Sequence, residues 1–241
     1  MKQFQPHVFF IFLTLFGALL PHTAEAAQSA VHSSHASKKA LTHSEAQLVD
    51  MGFVDVRTLD PDIRVELKYA SNDNFMGSAM YGDFKKAWLK KEAAVKLAQA
   101  NKYLKEINPE LTLLVGDALR PRAVSRQMWS FLSGSPMQRY VANPKGGSMH
   151  NYGCAVDITI CDISGKRLDM GTPLDYFGPL AQPRYEEKFL KQGKLTEEQV
   201  ANRKLLRNVM TAAGFDGIQL EWWHFEAFDK KLIRKTYSIM E

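Results

Sequence analysis

Apolar residues recur along most of this chain at one of two spacings, and the switches between them outline an α+β domain. Across residues 88–107, Ala94, Leu97, Ala98, Leu104 and Ile107 recur at helical spacing, and Pro109 follows the end. Residues 123–132 predict a second helix. A third is bounded by its own signals: Thr196 with Gln199 forms a capping box, Val200, Leu206, Val209, Met210 and Ala213 make the stripe, and Gly214 supplies the stop. Short alternating runs at 54–58 and 65–69 predict strands joined by a turn at Asp60-Pro61-Asp62. Continuous apolar runs at 111–115 and 155–160 predict buried strands, the latter ending at a Ser164-Gly165 turn, and 218–220 opens a final strand. Helices and strands interleave without regular strand–helix–strand spacing. The fold expected is a single compact domain with a central, largely antiparallel sheet flanked by helices.

Two N-terminal segments depart from this pattern. Residues 8–20 are continuously apolar, too short for a bilayer span of about 20 residues, and Ala24-Glu25-Ala26 fits the small-x-small cleavage rule. Residues 1–26 therefore read as a signal peptide, which implies export, to the periplasm or else to the medium or cell envelope. No stable membrane insertion is expected once it is cleaved. Residues 27–52, rich in Ser, Ala and His, read as a flexible linker in which His32, His35 and His43 are solvated. The catalytic domain is expected over 53–241.

With 45% apolar and 24% charged residues the composition is that of an ordinary soluble globular protein. The net charge of +5 comes from Lys and Arg scattered among acids, which excludes a nucleic-acid-binding stripe and suits an anionic setting such as a cell wall. Cys154 and Cys161 are the two cysteines. Extended chain at roughly 3.3 Å per residue separates them by about 23 Å, whereas a disulfide needs about 7 Å or less between Cα atoms. Free thiols are expected.

The chemistry concentrates in two segments, Ser148-Met149-His150-Asn151-Tyr152-Gly153-Cys154-Ala155-Val156-Asp157 and Glu221-Trp222-Trp223-His224. His150, Asp157 and His224 offer three N/O ligands, the donor set of a catalytic zinc with one open position, and Glu221 is a spare carboxylate. Ser148 and His150 share a face if their segment is extended. Glu221 and His224, three apart, point to opposite faces of a regular strand, so a shared site requires irregular backbone at the tryptophans, which read as core and pocket wall.

These motifs resemble those of zinc D,D-peptidases, and finer features resemble the D-alanyl-D-alanine dipeptidase (VanX-like) branch of the hedgehog/D,D-peptidase superfamily. The finer features are Tyr69-Ala70 with Asp73-Asn74-Phe75 and Gly77, Asp117 through Arg122, Met170-Gly171 with Asp175, Asn202-Arg203, Gly214-Phe215 and the doubled tryptophan. The resemblance implies one Zn2+ per chain held by His150, Asp157 and His224. It further implies Glu221 as general base, Arg120 stabilising the tetrahedral intermediate, and Ser148 and Asp175 holding a small D,D-dipeptide in cell-wall peptide metabolism. Two alternatives remain. One is a D,D-carboxypeptidase or peptidoglycan endopeptidase acting on longer stem peptides; the other is a non-catalytic zinc-holding envelope module, which the presence of Glu221 and Arg120 disfavours. The oligomeric state is left open.

Overall fold

The computed structural model describes residues 43–241. The apolar run, the cleavage motif, and His32 and His35 lie outside the described residues. Two central strands set the architecture: β4 (Leu111–Asp117) is buried throughout and β5 (Ala155–Asp162) nearly so. Strands covered on both faces read as continuous apolar runs rather than alternations, which is why both were visible in sequence. They pair antiparallel, and β7 (His224–Glu226) continues the sheet antiparallel to β5, with β6 (Asp216–Gly217) beyond it. On the other side β2 (Arg64–Val65) adds in parallel to β4, giving the order β2-β4-β5-β7-β6. A separate antiparallel pair joins β1 (Phe53–Asp55) to β3 (Trp88–Lys90).

Helix α2 (Lys91–Ile107) packs against α5 (Glu197–Ala212) and against β4. Leu97, Leu104, Leu206 and Met210 are fully buried in the core that Leu113, Val156 and Ile158 also build. Each such side chain contributes about 1.5–3 kcal/mol by leaving water. The capping box of α5 forms as expected, Thr196 Oγ1 accepting from Gln199 N at 3.2 Å and Gln199 Oε1 from Thr196 N at 3.0 Å. Shorter helices α3 (Arg122–Phe131), α4 (Glu186–Lys191) and α6 (Lys230–Thr236) complete the flanks. Cys154 and Cys161 are free and buried.

Several expected boundaries are corrected. Helix α1 (Glu45–Asp50), capped by Ser44 and Gln47, precedes Phe53, so folded structure reaches into the expected linker. Its one buried residue, Leu48, packs with Phe53, Trp88, Leu119 and Met240, too small an apolar face to register in the sequence. The runs at 54–58 and 65–69 do not pair with each other. Each gives way to a 3-10 turn, Val56–Thr58 after Asp55 Oδ1 accepts from Arg57 N, and Lys68–Ala70, which turns Tyr69 inward. Trp88–Lys90 is a strand, not the start of α2. Residues 218–220 form no strand; the chain bends there between β6 and β7. Ser148 and His150 are not on an extended segment, because Met149–Tyr152 is a 3-10 turn.

Candidate metal centre and active site

The turn Met149–Tyr152 presents the first histidine. Ser148 Oγ accepts from His150 N at 3.3 Å, while Asn151 Oδ1 accepts from Ser148 N at 2.7 Å. Gly153 ends the turn at φ 65°, where an added Cβ would lie 2.5 Å from Phe53 Cε1. Buried His150 donates from Nδ1 to Ala118 O at 2.7 Å. A carbonyl can only accept, so the proton sits on Nδ1 and Nε2 is left with a free lone pair.

The sheet supplies the other two groups. Asp157 on β5 lies directly opposite His224 on β7 and, across the other edge, opposite Asp117 on β4. Paired residues share a face, so three strands set Asp117, Asp157 and His224 in one row. A register shift between Val115 and Asp117 aims the end of β4 into this row. Gly116 stands at the shift, where an added Cβ would press on Leu174 Cδ1 at 2.5 Å and displace that side chain. His150 Nε2 lies 3.2 Å from His224 Nδ1 and 3.3 Å from Asp157 Oδ1, and His224 Nδ1 lies 3.0 Å from Asp157 Oδ1. Ligands at about 2.0–2.1 Å in a tetrahedron stand roughly 3.3 Å apart, so the three atoms fit a small divalent cation with an N,N,O donor set. His224 Nε2 donates to Glu226 Oε1 at 3.4 Å, which orients the ring so that Nδ1 is the atom turned to Asp157 and His150.

The electrostatics favour positive charge where these atoms meet. Burial opposes a charge on His224, but its hydrogen bonds to Asp157 and Glu226 outweigh burial and push its pKa up to about 10. Asp157, although buried, is held well below the usual carboxylate range by His150 and His224.

Arg120 stands beside this cluster with little freedom. Its Nε and Nη2 donate to Asp117 Oδ2 at 2.8 and 2.5 Å, Nη2 reaches Asp157 Oδ2 at 3.3 Å, and Cζ lies 5.1 Å from the centre of the Tyr69 ring. Asp117 is fixed in turn by Tyr81 Oη at 2.5 Å and Ala118 N at 2.9 Å, both donating to Oδ1. Asp175 adopts φ 61° and accepts from Tyr69 Oη at 2.8 Å; burial raises its pKa to about 7. Glu221 sits in the bend before β7, where burial raises its pKa to about 8. The irregular backbone expected there is present, and Trp222 and Trp223 are both buried.

Arg120, Ser148, His150, Asp157, Asp175, Glu221 and His224 all line one cavity of about 280 Å³. Phe177, Tyr140 and Phe75 line the same cavity, the Phe177 ring centre standing 5.3 Å from that of Tyr140 in a stack and 4.9 Å from that of Phe75. Gln182 Nε2 donates to Tyr140 Oη at 3.1 Å and steadies this wall. Such a volume lies at the small end for ligand sites and suits a substrate of a few residues at most. Sequence reasoning missed Glu226 and gave no role to Asp117, Tyr69 or Tyr81. For Glu226 a signal existed: in His224-Phe225-Glu226 two polar residues two apart share one strand face.

A family model described as D-ala-D-ala dipeptidase, peptidase M15, matches residues 49–240. The D-alanyl-D-alanine dipeptidase of Escherichia coli K12 is 35% identical over 173 residues, covering 72% of this chain and 83% of that protein. The D-alanyl-D-alanine dipeptidase of a Synechocystis strain is 32% identical over 165 residues, 56% and 67% of the two chains. That of Enterococcus faecium is 26% identical over 202 residues, 76% and 94%.

Proposed function

We propose, because the chain belongs to the peptidase M15 family of D-ala-D-ala dipeptidases, that it hydrolyses D-alanyl-D-alanine and related D,D-dipeptides with one zinc ion held by His150, Asp157 and His224. The observation that carries this reading is the meeting of three ligand atoms within 3.0–3.3 Å of one another in the cavity that Glu221 and Arg120 also line. Two neutral imidazoles and one carboxylate suit zinc, which, when bound, polarises a carbonyl and lowers the pKa of water to about 7.

Glu221 takes a proton from the attacking water and returns it to the leaving amine as the C–N bond breaks, releasing two amino acids. A carboxyl raised towards neutrality by burial is matched to both transfers. Arg120, clamped by Asp117, donates to the oxyanion as the carbonyl carbon becomes tetrahedral, a contribution of about 2.7–4 kcal/mol by analogy with a lost oxyanion-hole donor. Asp175 and Ser148 hold the substrate termini; Ser148 does so while its hydroxyl caps the His150 turn.

The setting we infer is export to the periplasm after cleavage at Ala26, and a role in cell-wall peptide metabolism. No helix among the described residues is long and apolar enough to cross a membrane. The test compares turnover of D,D, L,D and L,L dipeptides and of a pentapeptide stem by zinc-reconstituted protein. The free D,D-dipeptide should be preferred; preference for the stem would assign the chain to D,D-carboxypeptidase or endopeptidase chemistry instead.

A further inference from the structure

Between β5 and α4 the chain makes a long excursion, residues 170–181, that carries Asp175 and Phe177 into the cavity. Asp175 is the only non-glycine residue at positive φ among the described residues. Asp tolerates this conformation better than most residues, and here its surroundings hold it in place. Tyr69 Oη holds the Asp175 carboxyl at 2.8 Å, and the ends of the excursion are held by a side chain of α5. Arg203 is fully buried; its Nε donates to Met170 O at 2.7 Å and its Nη1 to Leu180 O at 3.0 Å, so one guanidinium grips both ends of the excursion. Asn202 Nδ2 and Gln199 Nε2 hold Asp169 just before it, at 2.9 and 2.8 Å.

The same guanidinium lies 5.7 Å from the centre of the Trp222 ring. Trp222 is itself tied to the excursion, its backbone N donating to Ala181 O at 3.0 Å and its Nε1 to Thr172 Oγ1 at 2.8 Å. Glu221 is the residue immediately before it. Arg203 thus reaches, through one shell of contacts, both the segment carrying Asp175 and the segment carrying Glu221. It touches neither cavity nor ligands.

Stability alone does not account for this arrangement. Arg203 Nη1 stands 3.7 Å from Glu186 Oε1, yet neither Arg203 Nη2 nor Glu186 Oε1 has a hydrogen-bond partner among the described residues. A buried charge pair left partly unsatisfied is a poor device for stability, and apolar residues of similar volume often serve as well. What an apolar residue cannot do is bond two carbonyls from the two ends of one loop, which the planar guanidinium fork does.

We propose that Arg203 is a positioning residue of the active site, clamping the 170–181 excursion and the Glu221-Trp222 segment into one rigid wall that sets Asp175 and Glu221 against the metal centre. This assignment rests on the proposed dipeptidase activity. The test uses Arg203→Lys in the full zinc-loaded protein, with three readouts: metal per chain, kcat and KM for D-alanyl-D-alanine, and backbone amide exchange by segment. The expected result is one metal per chain, kcat/KM lowered at least about tenfold with the larger share in KM, and faster exchange confined to 170–181 and 221–222. Unchanged exchange in those segments, acceleration spread equally through β4, or kcat/KM within twofold of the parent would overturn it. Should Arg203→Lys fail to fold, Thr172→Val, which unties Trp222 from the excursion, is judged by the same readouts and criteria. A parent protein that leaves the dipeptide uncut would refute the activity, while the exchange pattern would still decide whether the guanidinium holds the loop.

Discussion

Glu226→Gln isolates the control that the fold exerts on His224. The carboxylate accepts from His224 Nε2 at 3.4 Å and pairs with Lys230 Nζ at 3.2 Å on the same oxygen, and the residue is only 7% exposed. Gln keeps the shape and one acceptor but removes the charge. Hydrogen bonds to charged groups contribute about 1.5–3 kcal/mol. The 3.4 Å contact is long, and Lys230 is exposed enough to be rehydrated, so the lower end applies. About 1.4 kcal/mol is a tenfold change in affinity, at the bottom of the roughly 10–100-fold range for partners that orient a ligating histidine. Competition with a chromogenic chelator at fixed pH measures the metal dissociation constant directly. The expected outcome is about tenfold weaker binding. A dissociation constant within twofold of the parent would show that the imidazole is oriented without Glu226 and would refute the reasoning.

Three further outcomes follow from the geometry. Asp117→Asn removes the carboxylate that takes two guanidinium N–H groups; with metal content unchanged, kcat should fall about 100-fold, corresponding to a lost oxyanion donor, and steady-state kinetics alongside metal analysis checks it. After metal removal by chelation, melting should come about 4–8 °C lower at pH 8.5 than at pH 5.5. Burial raises Asp175 to about 7 and Glu221 to about 8, so the folded chain holds protons that the unfolded chain has released, and that stability, about 2 kcal/mol or more, is lost as pH rises through those values. Calorimetry across this range checks the sign. Gly153→Ala forces a Cβ into left-handed backbone against Phe53 and should cost about 2–3 kcal/mol in chemical denaturation while disturbing the His150 turn.

What was legible in the sequence follows from where one local signal dominates. The strands at Leu111 and Ala155 and the helix opened by Thr196 each carry a single strong pattern, and they appear in place. Residues 65–69 alternate like a strand, yet only Arg64 and Val65 find a partner, because the 3-10 turn that buries Tyr69 takes the chain away from β4. Pairing is a non-local fact that alternation does not encode. In the site, the three candidate ligands and Glu221 could be picked out by residue type and spacing, whereas Asp117 and Glu226 act by holding Arg120 and His224, and that role depends on cross-strand register. Ser148 illustrates the limit most clearly. Its hydroxyl is already engaged as a helix cap, an arrangement that residue type and spacing alone do not reveal.

The most direct measurement is a paired comparison of parent and Glu221→Gln, zinc-reconstituted, for bound metal per chain and for turnover of D-alanyl-D-alanine. One zinc in each protein, with turnover reduced at least about 100-fold in the variant, is the expected result if His150, Asp157 and His224 hold the ion and Glu221 moves the proton. A variant that retains parental turnover, or a parent that binds no zinc, would contradict it.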